Sequence, residues 1–529
     1  MAGGTTLTTG AIAPHAPPGA GNDSSPADES PPTARSGHLA VMLLGWVAGI
    51  TSTGVCLAAV SLAPAGDDLG LGSLVRSACA SAGSLAIAAT AVAAGVAADR
   101  LGRRRILMWS YVLAGLANVA IVLIPWGATY LAGLFLAGIA YGVMLTATYA
   151  YVKVVAPPGG LGRALGLWGM YSIVFGSIAS LAGGMLASID WRLLFLVVPA
   201  MCVLSMLLTP RLLPPMVRVG SAGPVDLPGL ILIGLGLMIV ISGFLAVATD
   251  PGSLLAWALV AGGCLMLAAW VLVELRSRAP AFPVRLFRLS PFVAAVLVGV
   301  FVNAAYAVPV ISLSDYLQYE ERDSVFLATF GLQPFYLIGA AAWFVAGRRL
   351  SAGSPPRRII TLNALVAAAG FVALLPVQHS SAYWVILPGS LLIGYGTNAA
   401  LTGQAQVFVD AAPAEAYGAV TSSRLTIGQL GYSLGMITTT LLLGRLTASG
   451  IVRGLTAEGL SGEKAYATLA ALNASLLSGQ PPAVDDLSGV LSVTASAFDA
   501  AFDVRMAIGA AVMVATATAA WLLMRERRH

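Results

Sequence analysis

Windows of about 20 predominantly apolar residues, the length a helix needs to cross the ~30 Å hydrocarbon core of a bilayer, recur fourteen times along this chain. They fall at 39–63, 74–97, 105–125, 129–152, 164–187, 191–213, 226–248, 254–275, 291–317, 324–347, 358–377, 382–408, 418–444 and 505–524. The splits near 125 and 190 rest on the turn signals Pro125-Trp126-Gly127 and Asp190-Trp191. At 529 residues the length alone allows several soluble domains. The composition argues for one all-α polytopic bundle instead: 58% of residues are hydrophobic and only 10% charged, against roughly 25% charged in a soluble domain.

Charge fixes the expected topology. Of the 28 Lys and Arg, most fall on one side if the amino terminus is placed inside, among them Arg100, Arg103, Arg104, Arg105, Arg348, Arg349, Arg357 and Arg358. Asp67, Asp68, Asp190, Asp250, Glu320, Glu321 and Asp323 fall on the other. Positive charge marks the cytoplasmic side, so both termini are expected in the cytoplasm of a multi-pass protein of the cell (inner) membrane. The net charge of +5 sits in short loops and gives no reason to expect a nucleic-acid partner. Residues 1–37, rich in Pro, Gly, Ser and Thr, read as a disordered cytoplasmic tail. They lack the layout of a cleavable signal peptide, so the first span is expected to direct insertion. Cys56, Cys79, Cys202 and Cys264 lie inside apolar spans and read as buried free thiols.

Between the second and third spans the chain reads GVAADRLGRRR. Gly95, Asp99, Arg100, Gly102, Arg103, Arg104 and Arg105 follow the loop signature of the major facilitator superfamily, and the segment resembles that family's cytoplasmic gate motif. Further pieces resemble the fourteen-helix drug:proton antiporter family, in that family's order. They are Gly162-Arg163, Gly183-Gly184 and Trp191-Arg192 with Phe195; DLPGLILIGLGLMIVISG at 226–243; RLFRLSPF at 285–292; DYLQ at 315–318; and APAEAYGAVTSSRLTIGQLGYSLG at 412–435. The resemblance covers about 39–525 and implies the major facilitator fold: an N-terminal six-helix bundle over 39–213, an inserted helix pair over 226–275, and a C-terminal six-helix bundle over 291–524 that carries a long extracytoplasmic loop, 445–504. It also implies that Asp99 and the Arg after it latch the cytoplasmic side against the second bundle. AYATLAALNASLL and LSVTASAFDAAF inside the long loop are amphipathic at helical spacing and read as a packed cap.

The chain departs from those relatives where they carry coupling chemistry. The family's span 1 acid falls at Gly54 or a near neighbour, with no acid between Ser36 and Leu62. The family's span 4 Arg falls at about Gly138. Its span 5 Gly-Pro appears as Ala179-Ser180.

Ionisable groups within a bilayer are functional candidates by default. Asp315, near the outer end of span 9, is the candidate coupling residue, with a solvated rim acid as the alternative. Arg76 and Arg424 are further intramembrane candidates, and Glu274 and Asp410 read as interfacial. Polar stripes supply the candidate substrate cavity: Tyr141, Thr148 and Tyr149 on span 4; Tyr171, beside Trp168 and Ser172, on span 5; Asn303 and Tyr306 on span 9; Gln333 and Tyr336 on span 10; Asn398, with Tyr395, Thr402 and Gln406, on span 12; Gln429 and Tyr432 on span 13. Each stripe either lines a cavity or bonds neighbouring helices. Gly428, Gly431 and Gly435 read as close helix packing.

His15, His38, His379 and His529 form no catalytic or metal-ligand pattern, and no phosphate loop is present. No enzymatic activity, cofactor or metal is expected. The reading is a secondary active transporter that exports a small amphipathic organic compound, drug or metabolite, by alternating access. Its expected partners are that substrate, the lipid bilayer and protons as candidate coupling ion, and it is expected to act as a monomer. The alternatives are an uncoupled or uptake facilitator of the same fold, and a transport-inactive membrane sensor or scaffold.

Overall fold

A computed structural model describes residues 34–187, 189–215, 227–277, 282–320, 330–378, 381–413, 417–478 and 487–524. Residues 1–33 of the expected tail lie outside the described residues. The described residues form helices and no strand, as a bilayer demands of a chain whose backbone groups must be satisfied within each span.

The helices are α1 (Ala34–Asp68), α2 (Ser73–Leu101), α3 (Arg103–Leu123), α4 (Gly127–Val155), α5 (Leu161–Ala187), α6 (Val197–Leu212), α7 (Leu227–Thr249), α8 (Leu254–Arg276) and α9 (Ser290–Glu320). After these come α10 (Gln333–Ser351), α11 (Pro356–Ala373), α12 (Tyr383–Ala411), α13 (Tyr417–Ala457), α14 (Gly462–Ser478) and α15 (Leu487–Leu523). Among the described residues, thirteen helical stretches are long and apolar enough to cross a membrane. Helix α10, in the place of the remaining expected span, is not one of them, because Gln333, Arg348 and Arg349 lower its mean hydropathy.

The chain reverses at Gly102, whose φ of 94° is open to glycine but strained for other residues. That turn ends α2 and starts α3 without a loop. The end of the molecule holding this turn is termed the near end, and the opposite one the far end.

Two apolar cores account for most of the burial. One is built mainly from α1–α6, with Leu44, Val47, Tyr111, Tyr130, Tyr141 and Phe195 among its members, and it reaches Trp343 of α10, Ala405 and Val409 of α12 and Tyr417 of α13. The other draws mainly on α7–α13 and α15, with Phe292, Phe335, Phe371, Phe408 and Met513, and takes in Val92 and Val96 of α2. Small residues set the closest crossings: Gly431 and Gly435 of α13 lie so near the backbone of Val300 and Ala304 in α9 that a methyl group would overlap it. Helix α7 packs against α8 and also against α2, where a side chain at Gly234 would meet the Ala89 carbonyl.

The 445–504 stretch is largely helical. Helix α13 runs on to Ala457, α15 begins at Leu487, and α14 lies between them. Ile451 and Leu455 of α13, Ala465 of α14, and Val490, Val493 and Ala497 of α15 form a separate small core. The amphipathic pattern in this region is thus buried in a small core shared by three helices.

Candidate functional site

The near end joins the two cores through one carboxylate. Asp99, in the last turn of α2, receives a hydrogen bond from Arg103 Nη2 at 2.8 Å through one oxygen. Its other oxygen accepts from the backbone N–H of Gly418 at 2.6 Å. Gly418 sits in the first turn of α13, where N–H groups have no partner within the helix and the dipole favours negative charge. Arg103 is 4% exposed and also donates to the Ala150 carbonyl at 3.0 Å. Its guanidinium lies 4.9 Å from the centre of the Tyr417 ring, with Lys153 Nζ 4.8 Å from the same ring. Side chains at Gly95 or Gly418 would drive into each other's helix, and one at Gly418 would strike the Asp99 carboxylate. Gly95, Asp99 and Arg103 therefore form one contact with Tyr417 and Gly418, and Gly102 supplies the turn that sets Arg103 beside Asp99. Arg100 and Arg104 stand half-buried beside it.

A second seam closes the same end. Gly162 and Gly166 of α5 meet Gly347 of α10 with no room for a Cβ on either side. The Arg163 backbone N–H donates to Ser351 Oγ at 2.7 Å.

Roughly 10 Å deeper, at 1.5 Å of rise per residue, lies a layer of aromatic side chains. Tyr149 of α4 donates its hydroxyl to the Ala405 carbonyl of α12 at 2.6 Å. Trp168 of α5 stands 5.5 Å from Tyr149 and 5.9 Å from Trp343 of α10. Trp343 Nε1 donates to Asn398 Oδ1 at 3.1 Å. Arg424 of α13 places its guanidinium 5.1 Å from the Tyr149 ring and 5.7 Å from that of Trp343. Deeper again, Tyr306, Tyr336 and Tyr432 lie within electrostatic range of one another, and Tyr336 and Tyr432 within range of Cys56 of α1. All four are half-buried, as groups lining a space between two cores would be.

The structure brings some cavity candidates together and separates others. Tyr149 and Asn398 come together through Trp168 and Trp343, whereas Tyr306 packs 5.3 Å from Phe335 in the second core. Tyr141 points into the first core, where Asn118 Nδ2 donates to its hydroxyl at 3.0 Å. Its ring occupies the space a side chain at Gly54 would need. Gly54 or a near neighbour is where the family's span 1 acid is expected, and at Gly54 itself an acid would have to displace Tyr141. Thr148 donates to its own helix at Met144. Tyr171 pairs with His38 Nε2 at 3.1 Å between α5 and α1, and Asn303 Nδ2 donates to Gly299 of its own helix at 2.7 Å. Gln333 is buried at the start of α10.

Asp315 belongs to the α9 backbone, and its side chain lies outside the described residues. Arg76 is tied to Asp67 at 2.7 Å at the far rim. Glu274, in the last turn of α8, is 3% exposed and accepts from Trp270 Nε1 at 3.2 Å. Asp410 is exposed and accepts from Gln406. Sequence reading missed Tyr417, Gly418 and Trp343. The available signal was register: Trp168, Trp343 and Arg424 lie at similar distances from the near ends of their helices.

Comparisons agree with this geometry. The chain is 31% identical over 385 residues to the puromycin resistance protein pur8 of Streptomyces alboniger, covering 70% of this chain and 74% of that one. It is 23% identical over 373 residues to the multidrug efflux pump LfrA of Mycolicibacterium smegmatis, covering 69% and 71%. In fold it resembles the human organic anion transporter MFSD10 (TM-score 0.58, 13% identity, 91% of this chain and 100% of that one). It likewise resembles the proton:xylose symporter XylE (TM-score 0.56, 13% identity, 90% and 94%). Residues 39–436 match the profile of the Major Facilitator Superfamily, and the chain belongs to that family of membrane transporters.

Proposed function

We propose that this transporter exports a small amphipathic organic compound by alternating access, with the near end facing the cytoplasm and the far end outside. The observation that carries the reading is the latch: a carboxylate on α2 holds the N-terminus of α13 while glycine seams close α2 on α13 and α5 on α10. Such a contact can form or part as a unit when two bundles rock about a midplane site. Relatives with resistance and efflux in their names favour export over uptake. The half-buried tyrosines between the two cores suit an aromatic or amphipathic molecule.

The test is flux of a panel of anionic, neutral and cationic amphipathic compounds in proteoliposomes holding the full chain. Downhill movement of at least one of them above that of empty vesicles is expected, and its absence for the whole panel would favour a transport-inactive sensor. Orientation is tested separately. In a background free of Cys56, Cys79, Cys202 and Cys264, a cysteine at Ser478 should label with an impermeant thiol reagent in intact cells, whereas one at Ser354 should not. The opposite pattern would invert the assignment of the two ends.

A further inference from the structure

Arg424 is 7% exposed, lies two turns into a membrane-spanning helix, and has no carboxylate in ion-pair range among the described residues. Asp410, the acid within electrostatic range of the neighbouring Tyr149, has its oxygens engaged by Gln406 at 3.0 and 3.1 Å. A guanidinium taken out of water costs several kcal/mol unless it is paired. The faces of Tyr149 and Trp343 offset part of this. Its hydrogen bonds are not all met: Nε is buried without an acceptor. Trp168, which touches both of those rings, is 4% exposed, and its Nε1 is likewise buried without an acceptor. Buried donors without acceptors are rare and call for an explanation. Here two of them, one positively charged, occur in a single aromatic cluster drawn from α4, α5, α10 and α13.

The missing partner is defined by what the cluster lacks. It has donors, a fixed positive charge and flat apolar faces, but no anion. A carboxylate, sulfonate or phosphate on an aromatic or apolar body supplies all that is absent, because an oxyanion accepts from a guanidinium and an indole N–H while its body lies on the rings. We propose that Arg424, with the Trp168 N–H as second donor, recognises the anionic group of the transported compound, so that the protein selects organic anions over organic cations. This rests on the export reading and specifies its substrate class. In the closed near end the guanidinium is stowed between Tyr149 and Trp343. Parting of α13 from α2 and of α5 from α10 separates these rings and turns the guanidinium towards the widening mouth.

Binding is measured with the purified full chain in nanodiscs, using 2-naphthylacetate, its amide and 2-naphthylethylamine, with empty nanodiscs as blank. Wild type is expected to bind the carboxylate about tenfold more tightly than the amine. Arg424→Gln should remove that preference while shifting the amide by less than about threefold. Arg424→Lys should retain part of it, since charge remains but the planar fork is lost. Trp168→Phe, which keeps a ring and removes the N–H, should weaken the carboxylate severalfold and more than the amide, which guards against an Arg424 variant that fails to fold. A wild-type protein with no preference for the carboxylate, or one that does not bind it, overturns the proposal, as does an Arg424→Gln protein that keeps the preference. Flux separates the two readings. Arg424-dependent binding without transport of any probe removes the export reading and leaves the anion site. Transport of amide and amine with no anion preference removes the site and leaves export.

Discussion

The two ends of the first bundle carry the same kind of ion pair put to different uses. At the near end Arg103 and Asp99 are nearly dry, with side chains 5% and 10% exposed, and the acid also grips the N-terminus of α13. At the far end Arg76 with Asp67 and Arg192 with Asp68 stand in the open, their side chains 25% to 78% exposed. All of those far-end partners belong to α1, α2 or the turn before α6. Exposed pairs contribute about 0–1 kcal/mol. Removing one partner of a buried pair costs about 3–5 kcal/mol, because a charge is left stranded. Location decides the consequence as much as strength does. A contact inside one bundle holds the same value in every state of the cycle and cannot bias it, whereas a contact between bundles is lost when they part.

The largest effect is therefore expected where the near-end seam is made impossible. Gly418→Val places its side chain on the Asp99 carboxylate and the Gly95 carbonyl. It should prevent closure and lower steady-state flux about 20-fold or more while membrane levels stay near normal. Asp99→Asn and Arg103→Ala come next. Each should lower flux about tenfold, in keeping with a coupling of roughly 1–3 kcal/mol between states. A cysteine cross-link that traps the near end closed should form less readily in both. Wild-type flux in both variants would reduce the motif to a determinant of topology.

How much of this was legible in the sequence differs between the levels of structure. Hydrophobic spans are set by local composition, so nearly all the helices could be read directly, and Gly95, Asp99 and Arg103 are visible as a motif. The partner of Asp99 was not visible, because it is a backbone N–H at Gly418, and any residue type supplies one. The stripe rule, which gathers polar residues on one helical face, could not tell Tyr149, which bridges two cores, from Tyr141, which fills the space at Gly54 inside one of them. Both are tyrosines on α4, and only the packing of neighbouring helices separates them. The partners of Glu274 were hidden for a related reason: its place near a helix end is visible in the sequence, but the cover given by Trp270 and the chain at Phe282 is not.

Coupling offers a way to sharpen the contrast between the ends. The near-end acid is consumed by the latch, and Gly54 has no room for the relatives' acid. Asp315, in the far-end part of α9, is the carboxylate we propose as the proton carrier if export depends on a pH gradient. Asp315→Asn should then abolish gradient-driven uptake into inverted vesicles while leaving downhill exchange within about threefold of wild type. Unchanged gradient dependence would transfer the role to Glu274, Asp410 or a protonatable group on the substrate.

The smallest effect is expected at the far rim, and it makes the comparison strict. Asp67→Asn and Asp68→Asn each remove an exposed ion pair, and neither breaks a contact between the two cores. Arg76 keeps its hydrogen bond to the Leu71 carbonyl at 2.9 Å, and Arg192 keeps Asp190, at 3.8 Å, as well as its stacking 4.7 Å from the Trp191 ring. Neither arginine is left stranded in a dry site, so the cost should stay below about 1 kcal/mol. Flux in each variant is expected within about twofold of wild type, with a slight fall in thermal stability that shrinks as salt is raised and the exposed charges are screened. A tenfold loss of flux in either variant, at normal membrane levels, would mean that the far-end pairs also part during the cycle. The distinction between a working near end and a passive far rim would then have to be given up.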